Sequence, residues 1–312
     1  MSGNSSIQSV ASSKAKQRKE LYQLLGKLPE RKRPITVELI STQETDELIT
    51  EKLLLDINGL EKAAAYFTKP KNKPGRLPIV LFNHSHFGQY GVGKNEFVLG
   101  RPEMQQPPYA LALARAGYAG LCIDSWCFGE RQGRGEMDTF KEMLWNGQVL
   151  WGMMVYDHLR ALDYLQTRPD IDVRRIATMG MSMGSTMAWW LAALDERIKV
   201  CVDLCCLTDY QSLLEAKGLG LHGIYYYVPS LLTQFTTWQI NGLISPRPHF
   251  SLAGRFDPLT PLAGLEKINQ HLTEIYAQDG NPSAWKLVIY ESGHQETEAM
   301  RADIMSFYRQ WL

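Results

Sequence analysis

No sign of charge prevails in this chain: 33 Lys and Arg balance 33 Asp and Glu across 312 residues. A balanced chain lacks the field that gathers a protein onto nucleic acid or an anionic membrane, so neither is expected as a partner. Long apolar runs are missing as well. No stretch approaches the ~18 uninterrupted apolar residues of a spanning helix. The opening MSGNSSIQSVASSKAKQRKE has no apolar segment of the secretory kind, which makes a cytoplasmic location the expectation. Cysteine is scarce. The five present, Cys122, Cys127, Cys201, Cys205 and Cys206, are odd in number and come without matching histidines. That pattern excludes a disulfide framework and a zinc site, and fits reduced, buried thiols.

What is present is an ordinary globular composition, 45% hydrophobic and 21% charged, enough apolar residues for a full core. Residues 1–33 are expected to be a Ser/Asn-rich irregular stretch of about a dozen residues followed by a basic surface helix over 13–28. From residue 34 onward one domain is expected, running to 312. Residues 35–39 and 50–57 alternate apolar with polar and suit an antiparallel edge pair, with a further strand at 63–67. Beyond the polar Pro/Gly loop at 69–76, short apolar runs at 78–83, 120–124, 175–180, 198–204, 249–254 and 286–291 alternate with helical stretches. One of those stretches is a long helix within 136–166. Continuous apolar strands separated by helices mean a mostly parallel sheet covered on both faces. Residues 208–246 break the rhythm. They carry no strand pattern and are rich in Tyr, Leu, Trp and Gly, which reads as a helical, pocket-forming insertion over the sheet's C-terminal edge.

Residues 180–184 read Gly-Met-Ser-Met-Gly, between an apolar strand and a helix that opens with small residues. This is the setting of a nucleophile elbow, in which a serine sits on a strained strand-to-helix turn and its flanking glycines let neighbouring backbone close in. A serine hydroxyl needs a base, and the base needs an orienting acid, in the chain order Ser, acid, His. His294 follows the last strand in Glu-Ser-Gly-His, where a loop can swing it over Ser182. His249 opens a strand, His271 lies mid-helix and His222 sits in the insertion. Asp257, just past the strand at 249–254, is preferred as the acid over Asp203 at the end of the preceding strand. Two backbone N–H donors must hold the oxyanion. Met183 supplies one, and the loop after residue 83 supplies the other, with His86 preferred and Ser85 next. His84 reads as a loop brace, and His158 as a core histidine on the apolar face of its helix.

At these residues the chain resembles the dienelactone-hydrolase and acetyl-xylan-esterase-like branch of the α/β-hydrolases. The matching pieces are NHSHFG at 83–88, DSWCFGER at 124–131, GMSMGS at 180–185, YYVP at 226–229, ISPRP at 244–248, GRFDPLTP at 254–261 and SGH at 292–294. The resemblance implies an α/β-hydrolase fold and a serine esterase with the triad Ser182, Asp257 and His294, needing neither metal nor cofactor. A small-molecule ester is the implied substrate, and Trp126, Phe128 and Tyr226 are expected to line its pocket, with Tyr225 and Tyr227 nearby. Glu130 and Arg131 are expected to pair with each other beneath it. In one place the chain departs from the pattern, carrying His84-Ser85 where the family has His-Gly. A peptidase or acyltransferase would use the same triad, whereas a non-catalytic protein on the scaffold would be expected to have lost Ser or His. The N-terminal helix and the insertion are the candidate surfaces for a homo-oligomer.

Overall fold

The structure is a computed structural model that describes residues 3–312, with side chains from residue 13. Nine strands form one sheet. Three of them, β1 (Thr36–Glu44), β2 (Leu48–Asp56) and β3 (Ala63–Pro70), pair antiparallel and make one flank. The rest are β4 (Leu77–Asn83), β5 (Ala119–Ile123), β6 (Ile171–Met181), β7 (Ile198–Leu204), β8 (His249–Gly254) and β9 (Trp285–Tyr290), all parallel to one another. Their spatial order is β1-β2-β3-β5-β4-β6-β7-β8-β9. Burial follows position. Every residue of β4 and β8 is buried, because helices cover both faces. Every residue of β1 is exposed, because it is the free edge of the antiparallel flank. The strand order places the C-terminal ends of β4, β6, β7, β8 and β9 side by side, and the loops leaving those ends meet there.

One helical expectation needs correction. The N-terminal helix starts at Gly3 and runs to Gln23, so residues 3–12 of the stretch expected to be irregular are helical backbone, the first two lying outside the described residues. Nor does that helix merely lie on the surface. Leu21, and Leu25 just beyond it, are fully buried, and Arg18 donates to the carbonyls of Ala193 (3.1 Å) and Leu243 (2.9 Å). Those carbonyls end other elements and lack helical partners, so the guanidinium satisfies acceptors that burial would leave orphaned. The long helix expected within 136–166 is Leu150–Leu165, and a shorter helix, Glu136–Trp145, precedes it. Gly147 sits at φ 72° between them and its carbonyl accepts from the Lys27 N–H at 2.8 Å. A left-handed glycine ends the first helix, and the incoming N-terminal segment fills the break.

Between β7 and β8 the chain passes through three short helices, Tyr210–Glu215, Leu231–Gln234 and Thr237–Gly242, and two single 3₁₀ turns. Tyr210, Tyr225, Tyr226 and Phe235 of this segment are buried against the domain.

Two measurements test this packing. Leu21→Ala removes a fully buried side chain and is expected to lower unfolding stability by about 2–4 kcal/mol. Urea unfolding that differs by less than about 0.5 kcal/mol would show the N-terminal helix to be detached in solution. The second concerns buried histidines. His158, fully buried, donates Nδ1–H to the Met154 carbonyl at 2.8 Å, and burial pushes its pKa down from 6.5 to about 3. His84 at the end of β4 is held near 4 by the same cause. A folded-state pKa below the unfolded one means the unfolded chain binds more protons between the two values, so stability is complete above about 6.5 and lost as pH falls towards 4. The urea midpoint is expected to drop across that window, and to drop less in a His158→Gln variant.

Candidate active site

The site begins with a steric arrangement. Ser182 joins β6 to the helix Met183–Leu194 at φ 57°, ψ −119°, backbone that a residue with a side chain adopts only when its surroundings impose it. The glycines supply the surroundings. A Cβ on Gly184 would stand 1.9 Å from the Asn83 carbonyl oxygen, and one on Gly180 would stand 2.4 Å from the Gly184 backbone. The turn therefore packs directly onto the end of β4, and the Ser182 N–H is tied to the Leu204 carbonyl of β7 at 2.9 Å. Met183 is the first residue of its helix, so its N–H has no helical acceptor, and the helix's positive end points to the same place.

Two further loops meet beside it. Arg255 N–H donates to the Tyr290 carbonyl (2.8 Å), and Phe256 N–H to that of Ser292 (2.9 Å). These bonds draw the loop after β8 against the loop after β9. Across them His294 donates Nδ1–H to the Asp257 carboxylate at 2.7 Å. A carboxylate only accepts, so Nε2 is left as the lone-pair nitrogen of the neutral imidazole. Among the described residues that Nε2 has no hydrogen-bond partner. His294 and Ser182 line one cavity of about 230 Å³, together with His86, Phe87, Met183, Thr186, His222, Tyr225 and Tyr226. Among the described residues no lysine, arginine, aspartate or glutamate lines it.

Asp203 is committed elsewhere. It is fully buried and accepts from His249 Nε2 (2.6 Å) and Ser251 Oγ (2.7 Å). Ser251 stands opposite it in the β7–β8 register, so its carboxylate is held at the sheet by these two donors. Among the described residues one group has metal-ligating atoms in reach, Cys205, Asp257 and His294, within 4.8 Å of one another. The carboxylate and imidazole already bond each other, and burial pushes the Cys205 thiol well up, keeping it protonated. The cluster is a histidine–carboxylate pair with a neutral thiol beside it.

The loop after β4 carries the remaining polar groups. Ser85, the departure from His-Gly, gives both its N–H (2.9 Å) and its hydroxyl to the buried Glu96 carboxylate, which Arg101 also pairs. Its amide is therefore spent, and Ser85 is withdrawn as an oxyanion donor. His84 donates Nδ1–H to the Ser85 carbonyl (2.9 Å) and accepts from Ser125 N–H at Nε2 (3.1 Å). It braces two loops. His86 turns its ring into the cavity, where burial holds its pKa near 4.

Three expectations about the 124–131 loop are corrected. Trp126 does not reach Ser182. It lines a separate cavity of about 180 Å³ with Glu61, Arg131 and Thr139, and the Arg131 guanidinium lies 4.4 Å from its ring centre. Phe128 is fully buried one layer back, stacked on Tyr90 at 4.6 Å and 5.6 Å from the His86 ring. Glu130 and Arg131 do not pair with each other. Glu130 meets Lys94 (2.6 Å) and Lys52 (2.9 Å), and Arg131 meets Asp157 (2.8 Å) and Glu61 (3.1 Å). The cause is Asp124, fully buried, whose carboxylate accepts from Lys94 N–H, Lys94 Nζ and Glu130 N–H at 2.7–3.0 Å. The loop folds around that carboxylate and turns its aromatics away from the cavity. Tyr226 does line the cavity, and so does His222, whose ring stacks on Tyr226 at 4.7 Å. Sequence reasoning set His222 aside for its place in the insertion. No local pattern marks a loop histidine that folds back onto the site.

Residues 64–216 match the model of the dienelactone hydrolase family, from β3 through the elbow into the segment after β7. A Bacillus subtilis (strain 168) protein named as a hydrolase, YtaP, is 51% identical over 299 residues, covering 96% of this chain and all of that one. Among solved structures, a Bacteroides fragilis NCTC 9343 protein described as an acetyl xylan esterase superposes with a TM-score of 0.73 at 20% identity, covering 89% of this chain and 74% of that one. A glucuronoyl esterase from Solibacter usitatus gives 0.66 at 15% identity, covering 94% and 91%. At these identities the solved structures speak for the fold. The full-length relative and the family pattern over the elbow go further, and the chain is a member of the dienelactone hydrolase family, on the α/β-hydrolase fold.

Proposed function

We propose that the protein hydrolyses small, uncharged carboxylic esters through an acyl-enzyme on Ser182, with His294 as base and Asp257 as its orienting acid. The observation that carries this reading is the pairing of His294 Nδ1 with Asp257 at 2.7 Å, which leaves Nε2 unpartnered beside the cavity that Ser182 shares. In the first step Nε2 takes the Ser182 proton as Oγ attacks the ester carbonyl carbon. Charge develops on the carbonyl oxygen, and the N–H groups of Met183 and His86 are its donors. His294 then returns the proton to the leaving alcohol. Water, deprotonated by the same nitrogen, attacks the acyl-enzyme carbonyl, and His294 returns that proton to Ser182 Oγ as the acyl–oxygen bond breaks and the acid leaves.

The substrate class follows from the lining. A cavity of about 230 Å³ falls below the ~300–1,000 Å³ of most ligand pockets, which favours a short acyl group. The uncharged lining offers no partner for an ionised amine or carboxylate, so neutral esters suit it better than peptides with charged termini. Names among the relatives agree with an ester: an acetyl esterase from Xylanibacter ruminicola is 24% identical over 229 residues.

Two experiments test the assignment. The wild-type protein is expected to turn over p-nitrophenyl acetate faster than the butyrate, and Ser182→Ala to lose at least about a thousandfold in kcat. Equal activity in both proteins would remove Ser182 from the mechanism. The acid is tested by a pair of variants. Asp257→Asn is expected to cost roughly a hundredfold to ten-thousandfold in kcat by releasing the imidazole tautomer. Asp203→Asn, altering a carboxylate bound to His249 and Ser251, is expected to stay within a few-fold of wild type while unfolding at lower urea. The reverse result would exchange their roles.

A further inference from the structure

His86 carries more than an amide. Gly88 N–H donates to its Nδ1 at 3.0 Å, and a backbone amide can only donate, so Nδ1 bears the lone pair. The neutral ring must then carry its hydrogen on Nε2. That nitrogen lies 2.9 Å from the Tyr225 hydroxyl, so Nε2–H donates and the phenol oxygen accepts. One consequence remains for Tyr225. Its own O–H proton cannot point back along the bond it has just accepted, and among the described residues no protein acceptor takes it. The residue lines the same cavity as Ser182, Met183 and His294.

The ring is fixed in that position. Tyr225 N–H donates to Glu136 Oε1 at 3.0 Å, and Tyr90 holds the other oxygen of that carboxylate at 2.7 Å. Trp151 stacks against the phenol at 6.0 Å, and Phe128 meets it edge-on at 5.7 Å. Burial also raises the phenol's pKa well above its ordinary value, so it keeps its proton at neutral pH. A rigid, neutral O–H with an unused proton, facing a cavity where an oxyanion forms, is preorganised for that charge.

We infer that Tyr225 is a third oxyanion donor: its hydroxyl, oriented by the His86 imidazole, donates to the carbonyl oxygen of the tetrahedral intermediate beside the Met183 and His86 amides. The inference rests on the acyl-enzyme reading above. No bond to Tyr225 forms or breaks in the reaction. The hydroxyl strengthens one hydrogen bond as the carbonyl oxygen gains charge, and His86 acts as a positioning residue through its ring.

Tyr225→Phe removes the donor and keeps the packed ring. With p-nitrophenyl acetate, whose leaving group departs without protonation, kcat is expected to fall roughly tenfold to a hundredfold with KM nearly unchanged. With ethyl acetate, whose alkoxide must be protonated, the fall is expected to match. A fall confined to ethyl acetate would overturn the inference, because Tyr225 would then serve the leaving group. Rates within twofold of wild type on both esters would overturn it as well, leaving Tyr225 a packing residue. A KM effect with unchanged kcat would likewise place it in ground-state binding. His86→Phe tests the orienting ring with its amide intact, and is expected to lose several-fold in kcat in wild type and nothing further in Tyr225→Phe. Additive losses in the double variant would refute the coupling. Failure of the parent reading is separable: it appears as Ser182→Ala retaining activity, whereas failure of this inference appears with Ser182→Ala inactive and Tyr225→Phe unaffected.

Discussion

The closest approach at the centre of the molecule sets everything else. Where Gly184 would carry a side chain, the Asn83 carbonyl oxygen already stands, 1.9 Å from the ideal Cβ position. With no side chain between them, the helix Met183–Leu194 enters directly over the end of β4. The strained Ser182 turn is thereby pressed against the start of the loop that carries His84, Ser85 and His86. Asn83 reinforces the contact, its Nδ2 donating to Thr178 Oγ1 (2.9 Å) and the Met179 carbonyl (2.8 Å) across the β4–β6 pair. Strain of a few kcal/mol at one residue persists only when its surroundings over-determine it, and here two strands and a helix do so.

The loops around that point are held by buried charge. Ser85 hangs from Glu96, which Arg101 neutralises; the 124–131 loop winds around Asp124, which Lys94 neutralises; Arg131 closes on Asp157, which also accepts twice from Asn58. Ion pairs such as these recover their desolvation cost only in good geometry, so they add little net stability. Removing one partner, however, strands the other charge, and that penalty discriminates against every loop conformation in which the pair is broken. The charges thus select one arrangement of loops whose backbone alone would permit several.

This division of labour explains what could be read from the residues. The elbow was legible because its logic is local: glycine two residues either side of serine, an apolar strand before and small residues after. The alternation of strands and helices carried the sheet for the same reason, and chain order after β8 and β9 singled out Asp257 and His294 for the pairing that the loops make. Trp126 and Phe128 were misplaced because Asp124, the carboxylate their loop winds around, and Arg131 at its end find their charged partners outside the loop. Lys94, 30 residues upstream of Asp124, and Asp157, 26 residues downstream of Arg131, decide which way it faces. The break at Gly147 depended on Lys27, far off in the chain. The Ser85 substitution could be seen but not interpreted until Glu96 was found beneath it. Legibility ended where a conformation was set by partners distant in sequence.

A last consequence concerns electrostatics. Burial keeps His84 and His86 neutral to about pH 4, and lowers His222 as well, chiefly by the same desolvation. Only His294 among the cavity's histidines has a carboxylate bonded to it. In the proposed mechanism, a proton leaving Ser182 therefore has one basic site whose cation is compensated, and the charge that would develop is confined to the oxyanion and the His294–Asp257 pair. With no fixed ionic side chain on the walls, no formal charge screens those two poles from each other or from the amide dipoles of Met183 and His86. In so poorly solvated a space such dipoles act at low effective dielectric. On that proposal the neutrality of the surrounding histidines is a requirement of the site: a second imidazolium would compete for the oxyanion and repel the one that forms on His294.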